Sequence, residues 1–359
     1  MQALLLVSVC YAQGDLALGL EPAALRVTPN LRFKYLEQPE LGTLGEVLAI
    51  TQDAKGFMWF GGKNGLARYD GYDMHVYQHD DEDLASISTN TVNDLAADSN
   101  GDLWVATYWG LNRYDARSDY FERFLFDEND PKSLGHNSVK RLLLTESGDL
   151  WVGTEGGGLA LYNRDTRNFT RYQHISDDPS SISGNAIASI EEDANGMLWL
   201  GIKDTGIDIF DPRRGMVIQR LRKDPSDPES LSQEHPATIE RGPDGEMWVG
   251  TYWGLNQYLG GHRFKRYHGA YHKERAISSN NIQTAAFDGE GRLWVACGDR
   301  GLVLYRPSSD DFDRFMTEED GRRVMVSAIF SDKSGGLWLG FTPGGVAYLD
   351  RYASAFRNY

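Results

Sequence analysis

Cysteine is almost missing from the chain: among 359 residues there are only two, Cys10 and Cys297. Cys10 lies in an apolar N-terminal run, residues 1–12, that closes on Cys10-x-Ala12. This reads as the end of a secretory signal peptide without the usual basic start. If it is removed, Cys297 stands alone, a disulfide framework is excluded, and stability must come from packing. Basic residues are also scarce, 36 Lys and Arg against 52 Asp and Glu, for a formal charge of -16. That charge is spread over loops rather than gathered in a tail, which argues against nucleic acid as a partner. No apolar run is long enough to cross a bilayer as a helix. Catalytic signatures are missing as well. No His-Glu-x-x-His, Gly-x-Ser-x-Gly or paired Cys-x-x-Cys element occurs, so no enzyme activity, cofactor or metal is expected. His268 and His272, four apart, and the acidic run Asp80-Asp81-Glu82-Asp83 read as solvated loop residues rather than metal ligands.

Tryptophan and glycine are present in quantity, and in phase. Thr107-Tyr108-Trp109-Gly110-Leu111-Asn112 returns letter for letter as Thr251-Tyr252-Trp253-Gly254-Leu255-Asn256. Each copy follows a Gly-x-[LM]-Trp-Val opening. The same frame recurs around Trp59, Trp104, Trp151, Trp199, Trp248, Trp294 and Trp338, at spacings of 45, 47, 48, 49, 46 and 44 residues. A period of this size running through the chain belongs to one assembly built from a single supersecondary unit.

Four short segments make up each unit. An apolar run such as Val47-Leu48-Ala49-Ile50 ends in an Asp-x-x-Gly turn, as at Asp53 to Gly56. The Asp can bond its own turn and the Gly accepts positive φ, so a tight hairpin is expected there. The Trp-bearing segment follows, then a Gly-Leu-x-x-Tyr segment, then an aromatic pair such as Phe169-Thr170-Arg171-Tyr172. Helical repeats of this length would show a 3.6-residue period and few glycines, whereas this chain has 39. The reading is all-β, a seven-bladed propeller of four antiparallel strands per blade over residues 30–359, with 13–29 as a tether. The seven framed tryptophans are expected to pack between blades. A ring must hide its sheet edges, so one blade should draw a strand from each end of the chain. Phe33 to Leu36 is one candidate for the outer strand of the Trp338 blade, and Phe356-Arg357-Asn358-Tyr359 competes for that place.

The frame Ile-x-x-Asp-x-x-Gly-x-[LM]-Trp-[VL]-Gly-Thr-x-x-Gly-Leu-x-x-Tyr-Asp, followed closely by residues 95–115 and 190–211, resembles the two-component regulator propeller repeat. The connections Asp130-Pro131-Lys132-Ser133-Leu134-Gly135-His136-Asn137 and Asp178-Pro179-Ser180-Ser181-Ile182-Ser183-Gly184-Asn185 share the resemblance. Departures are Thr145 and Gly242 where the hairpin Asp belongs, and the loop before Val324, which lacks Ser-x-Asn. The resemblance implies a periplasmic sensor region of a hybrid histidine kinase or related bacterial signalling protein. It implies an unknown small-molecule ligand, with carbohydrate suggested by the aromatics, and a membrane signalling protein as output, which this chain does not contain.

Trp109 and Trp253 stand outside the Trp frame, in the bridge between second and third strands. Three blades apart in a ring of seven, they are expected to face each other across the channel mouth as platforms for a ligand. Their neighbours Tyr108 and Tyr252 join the candidate site. The other bridges supply Lys63, Glu155, Lys203, Asp204, Asp299 and Arg300, and the loops entering first strands add His136 and His235 with Asn90, Asn137, Asn185 and Asn280. Two other readings stay open. One is an enzyme resembling the streptogramin-inactivating propeller lyases, with His136 or His235 as base beside Glu155. The other is a protein-interaction scaffold.

Overall fold

A computed structural model describes residues 33–270, 273–315, 318–319, 322–323 and 325–349. The N-terminal run, the tether, His272 and the segment from Phe356 to Tyr359 lie outside the described residues. Seven four-stranded antiparallel sheets are arranged in sequence order. Blades 1 to 6 span residues 47–77, 92–124, 139–172, 187–221, 236–267 and 284–315. Blade 7 combines Met325–Ser331, Leu337–Thr342 and Val346–Leu349 with Lys34–Tyr35 from the other end of the chain. There Lys34 pairs with Tyr348 and Tyr35 with Ala347. The first strand of every blade contacts the first strands of the blades on either side, blade 7 meeting blade 1, so these seven strands encircle a central channel.

The hydrophobic core is divided into seven clusters, one per interface between blades. Trp59 packs with Leu95, Val105 and Tyr114 of blade 2, Trp199 with Met247 and Val249 of blade 5, and Trp338 with Met58 and Phe60 of blade 1, which closes the ring. Each framed Trp therefore reaches into the blade that follows. In several blades it meets the third-strand Tyr edge-on, as in Trp104–Tyr162 and Trp248–Tyr305, both with centroids 4.8 Å apart. This geometry suits the positive edge and negative face of aromatic rings. The small residue two places after the Trp follows from the same packing. A Cβ on Gly61 would stand 2.5 Å from Val92 of the next blade, and one on Gly250 would stand 2.5 Å from Ile282.

The hairpin Asp has two tasks. In blade 1, one oxygen of Asp53 accepts from the amides of Lys55 and Phe57, and the other accepts from the Trp59 indole at 3.0 Å. Asp98, Asp193, Asp288 and Asp332 repeat the indole contact. Where blade 5 has Gly242, the Glu246 carboxylate occupies the vacated space and accepts from the Asp244 amide. The Trp248 indole N–H is left buried without a partner.

The connections between blades are latched. Arg171 on the outer strand of blade 3 donates to the carbonyls of Ser133 and Asp130, and Arg266 in blade 5 does the same to Ser230 and Asp227. The loop asparagines act as staples: the Oδ1 atoms of Asn90, Asn137, Asn185 and Asn280 accept from the amides of His79, Phe126, His174 and Gly269. These four expected mouth residues thus close their own loops.

Candidate functional site

The bridges between second and third strands and the loops entering first strands share one end of the channel. The repeated hexapeptide is built there from the inside out. In blade 2 the Thr107 hydroxyl donates to the Gly110 carbonyl at 2.8 Å and holds the Ser88 hydroxyl at 2.9 Å, while Asn112 Oδ1 accepts from the Ser88 amide. Blade 5 copies this with Thr251, Gly254, Ser232 and Asn256. All these side chains are buried, so the network fixes a turn whose two central residues, Tyr-Trp, project outward. Gly110 and Gly254 close the turns at φ 112° and 124°, a backbone that L side chains avoid.

A cavity of about 320 Å³ opens over blades 3 to 6 at this end. Of the residues singled out from sequence, it is lined by Glu155, Lys203, His235 and Tyr252; Lys140, Arg141 and Gln283 complete its polar wall. The Tyr252 ring stacks on His235 with centroids 4.7 Å apart and an 18° interplanar angle. Asp204 stands behind, its carboxylate 3.4 Å from His235 Nδ1. Glu155 accepts from Lys140 at 2.9 Å and from the Ser138 hydroxyl at 3.1 Å. Those contacts, Lys140 first, hold the Glu155 carboxyl below its ordinary range.

The remaining candidates lie outside that cavity. His136 Nδ1 accepts from the Ser138 amide at 3.0 Å, Lys63 is paired with Glu46, and Asp299 and Arg300 sit in a single turn, Gly298–Arg300, of blade 6. Tyr108, Trp109 and Trp253 are exposed. Neither Trp109 nor Trp253, the expected platforms, lines this cavity, whereas Tyr252 does. Successive side chains of a two-residue turn diverge, so the turn that lays Tyr252 over His235 sends Trp253 outward, where it is 59% exposed.

Sequence reasoning overlooked the channel wall. Beneath the mouth, and sharing Arg141 with it, is a second space of about 200 Å³ lined by Asp94, Arg141, Glu191 and Glu240. Asp94 and Arg141 hold equivalent positions on the first strands of blades 2 and 3, opposite Ala106 and Gly153. Glu191 and Glu240 hold equivalent positions on blades 4 and 5, opposite Trp199 and Trp248 and two residues further from the mouth. Asp94 accepts from the Leu142 amide at 2.9 Å, tying blade 2 to blade 3. Enclosure raises Glu191 from 4.5 to about 7. Glu240 is raised well above its ordinary value, by enclosure first and then by Glu191. A charge interrupting an otherwise apolar first strand was the available signal, as in Val139-Lys140-Arg141-Leu142.

Comparison with known proteins agrees with this architecture. The family model described as two component regulator propeller matches residues 86–109. No curated protein matches the chain. Among solved structures, the extracellular domain of a protein assigned as a hybrid two component system from B. thetaiotaomicron superposes with a TM-score of 0.75 at 23% identity, covering 89% of this chain and 42% of that one. The extracellular domain of a B. thetaiotaomicron protein assigned as a one component system gives 0.69 at 22% identity, with the same coverage. Virginiamycin B lyase from Staphylococcus aureus gives 0.64 at 15% identity, covering 89% of this chain and 98% of that one. At such identities the likeness carries the fold. The chain spans less than half the length of the two B. thetaiotaomicron domains.

Proposed function

We propose, for a chain built on the two component regulator propeller repeat, that it is a ligand-sensing propeller working outside the cytoplasm, in the periplasm. A small molecule would occupy the channel mouth over blades 3 to 6, and its binding would be passed to a membrane signalling protein. The extracellular location of the two B. thetaiotaomicron neighbours supports the setting. The observation that carries the reading is the convergence on one cavity of Lys203, Glu155, His235 and the Tyr252 ring, contributed by three different blades. Convergent polar groups with an aromatic wall in a preformed cavity are what small-ligand sites consist of, and a sugar would suit the flat face of Tyr252. A screen of small metabolites and oligosaccharides by thermal shift tests it. Any hit should be lost in Tyr252→Ala and kept in Trp109→Ala; the reverse pattern sinks the assignment.

A lyase reading has one observation in its favour, that His235 and Glu155 line the same cavity. Mass spectrometry of the screened compounds after incubation decides between binding and turnover. A product that disappears in His235→Ala would replace the sensor reading.

A further inference from the structure

In a protein of formal charge -16, three cations, Lys140, Arg141 and Lys203, converge on the mouth cavity against the single carboxylate of Glu155. Glu155 is occupied by Lys140. Lys203 makes no ion pair among the described residues, and its place in the blade shows why. Lys63 is its counterpart in blade 1, where the Lys63 amide donates to the Glu46 carbonyl and the side chains of the two residues pair. The Lys203 amide donates in the same way to residue 186, but that residue is alanine. Arg141, the third cation, looks both ways. It lines the mouth and the space beneath, where its charge acts on Asp94 and Glu240.

We propose that the mouth binds the anionic group, a carboxylate or sulfate, of its small ligand between Lys203, Lys140 and Arg141, and that Asp94 and Glu240 beneath, Glu240 with Glu191 beside it, compete with that ligand for Arg141. This rests on the reading of the mouth as the ligand site. Planar guanidinium and ammonium donors around one cavity suit an oxyanion. Tyr252 adds a flat wall against which a ring bearing that anion can lie.

The competition makes anion binding depend on pH. The charged groups acting on Glu191 are Glu192 on its own strand and, from blade 5, Arg241, itself bonded to Glu146, and Glu240. Those acting on Glu240 are Glu191, Arg141 and Asp94. Among the described residues, blades 6, 7 and 1 contribute no ionisable side chain to this space; their residues there include Gln283, Thr284, Ser327 and Leu48. As pH falls, protons on Glu191 and Glu240 remove negative charge below Arg141, so the mouth becomes more attractive to an anion. As pH rises those carboxylates ionise and the attraction is lost. The dependence falls above the ordinary carboxylate range, since enclosure raises both Glu191 and Glu240.

Calorimetric titration with glucuronate, glucose and inorganic sulfate at pH 6 and pH 8 tests this. Glucuronate and sulfate should bind, and glucose at the same concentration should not. Lys203→Ala should weaken both anions about tenfold, the worth of one charge-assisted contact, while Tyr252→Ala should weaken glucuronate alone. Affinity should be lower at pH 8 than at pH 6, and Glu191→Gln with Glu240→Gln should flatten that dependence. Failure of both anions to bind at millimolar concentration overturns the proposal. So does glucose binding as well as glucuronate, or an unaltered pH slope in the double variant. If glucose binds and Tyr252→Ala abolishes it, the mouth stands as the site and only the anion assignment falls. Binding of any of the three that ignores both Lys203→Ala and Tyr252→Ala removes the mouth itself.

Discussion

The two copies of Thr-Tyr-Trp-Gly-Leu-Asn make the same turn in different company. In blades 2 and 5 the buried Thr, Asn and loop Ser form matching networks, so the local fold of the two turns is the same. Their surroundings diverge in the entering loop, where Thr91 of blade 2 corresponds to His235 of blade 5. Thr91 hydrogen-bonds the Lys63 carbonyl of blade 1, whereas His235 takes the Tyr252 ring onto its face. The bridge cation of the blade before Tyr108, Lys63, is paired with Glu46; that of the blade before Tyr252, Lys203, has Ala186 in that place. Identical sequence therefore yields an exposed turn over one blade and a wall of the cavity over another. A repeat specifies the scaffold, and its departures specify the site.

The comparison can be tested from its foundations upward. Trp104→Ala and Trp248→Ala should each cost on the order of 3 to 5 kcal/mol, the range for truncating a large aromatic in a core, read from denaturant unfolding. The milder Trp→Phe change should separate them. Trp104 loses an indole bond to Asp98, while Trp248→Phe removes an unpartnered buried N–H and should be the better tolerated of the two. Equal losses would mean that the hairpin Asp contributes nothing through the indole.

Next in size, Asn112→Ala and Asn256→Ala should each destabilise by about 1 to 3 kcal/mol, because the Ser88 or Ser232 amide and its neighbours lose a buried partner. Thermal unfolding of the pair checks whether the two turns are energetically as alike as their contacts. A large loss in one blade and none in the other would break the equivalence.

The smallest effect on stability is expected from exchanging the character of the two lysines. Ala186→Glu should place a carboxylate beside Lys203 as Glu46 stands beside Lys63. Folding should change by less than about 1 kcal/mol, as for exposed ion pairs, while sulfate affinity at the mouth should fall several-fold. Unchanged affinity would show that Lys203 takes no part in holding the anion.

Much of the fold was legible because its determinants are local. Asp53, Trp59 and Gly61 lie within nine residues of one another, and each acts through a hairpin or the face of the adjacent blade. The third-strand aromatics Tyr114, Tyr162, Phe210, Tyr258 and Tyr305, each met by the Trp of the preceding blade, sit ten or eleven residues after their own blade's Trp. The candidate site was legible only in part. Glu155, Lys203, His235 and Tyr252 were found because bridges and entering loops share one end of the channel. Lys140, Arg141, Glu191 and Glu240 were passed over because a charged residue on a first strand looks like a fault in an apolar pattern until the strand is known to face a channel.

By itself the sequence determined the blade, the number of blades and the packing of each framed Trp between blades, since these follow from short-range turn chemistry and one repeated frame. Only the tertiary structure decided which aromatic of the Tyr-Trp turn lines the cavity, which bridge lysine is left without an ion pair, and which four first-strand charges meet in the channel. Those outcomes depend on residues one to three repeats apart in the chain, brought together by closure of the ring, and no local pattern encodes that distance.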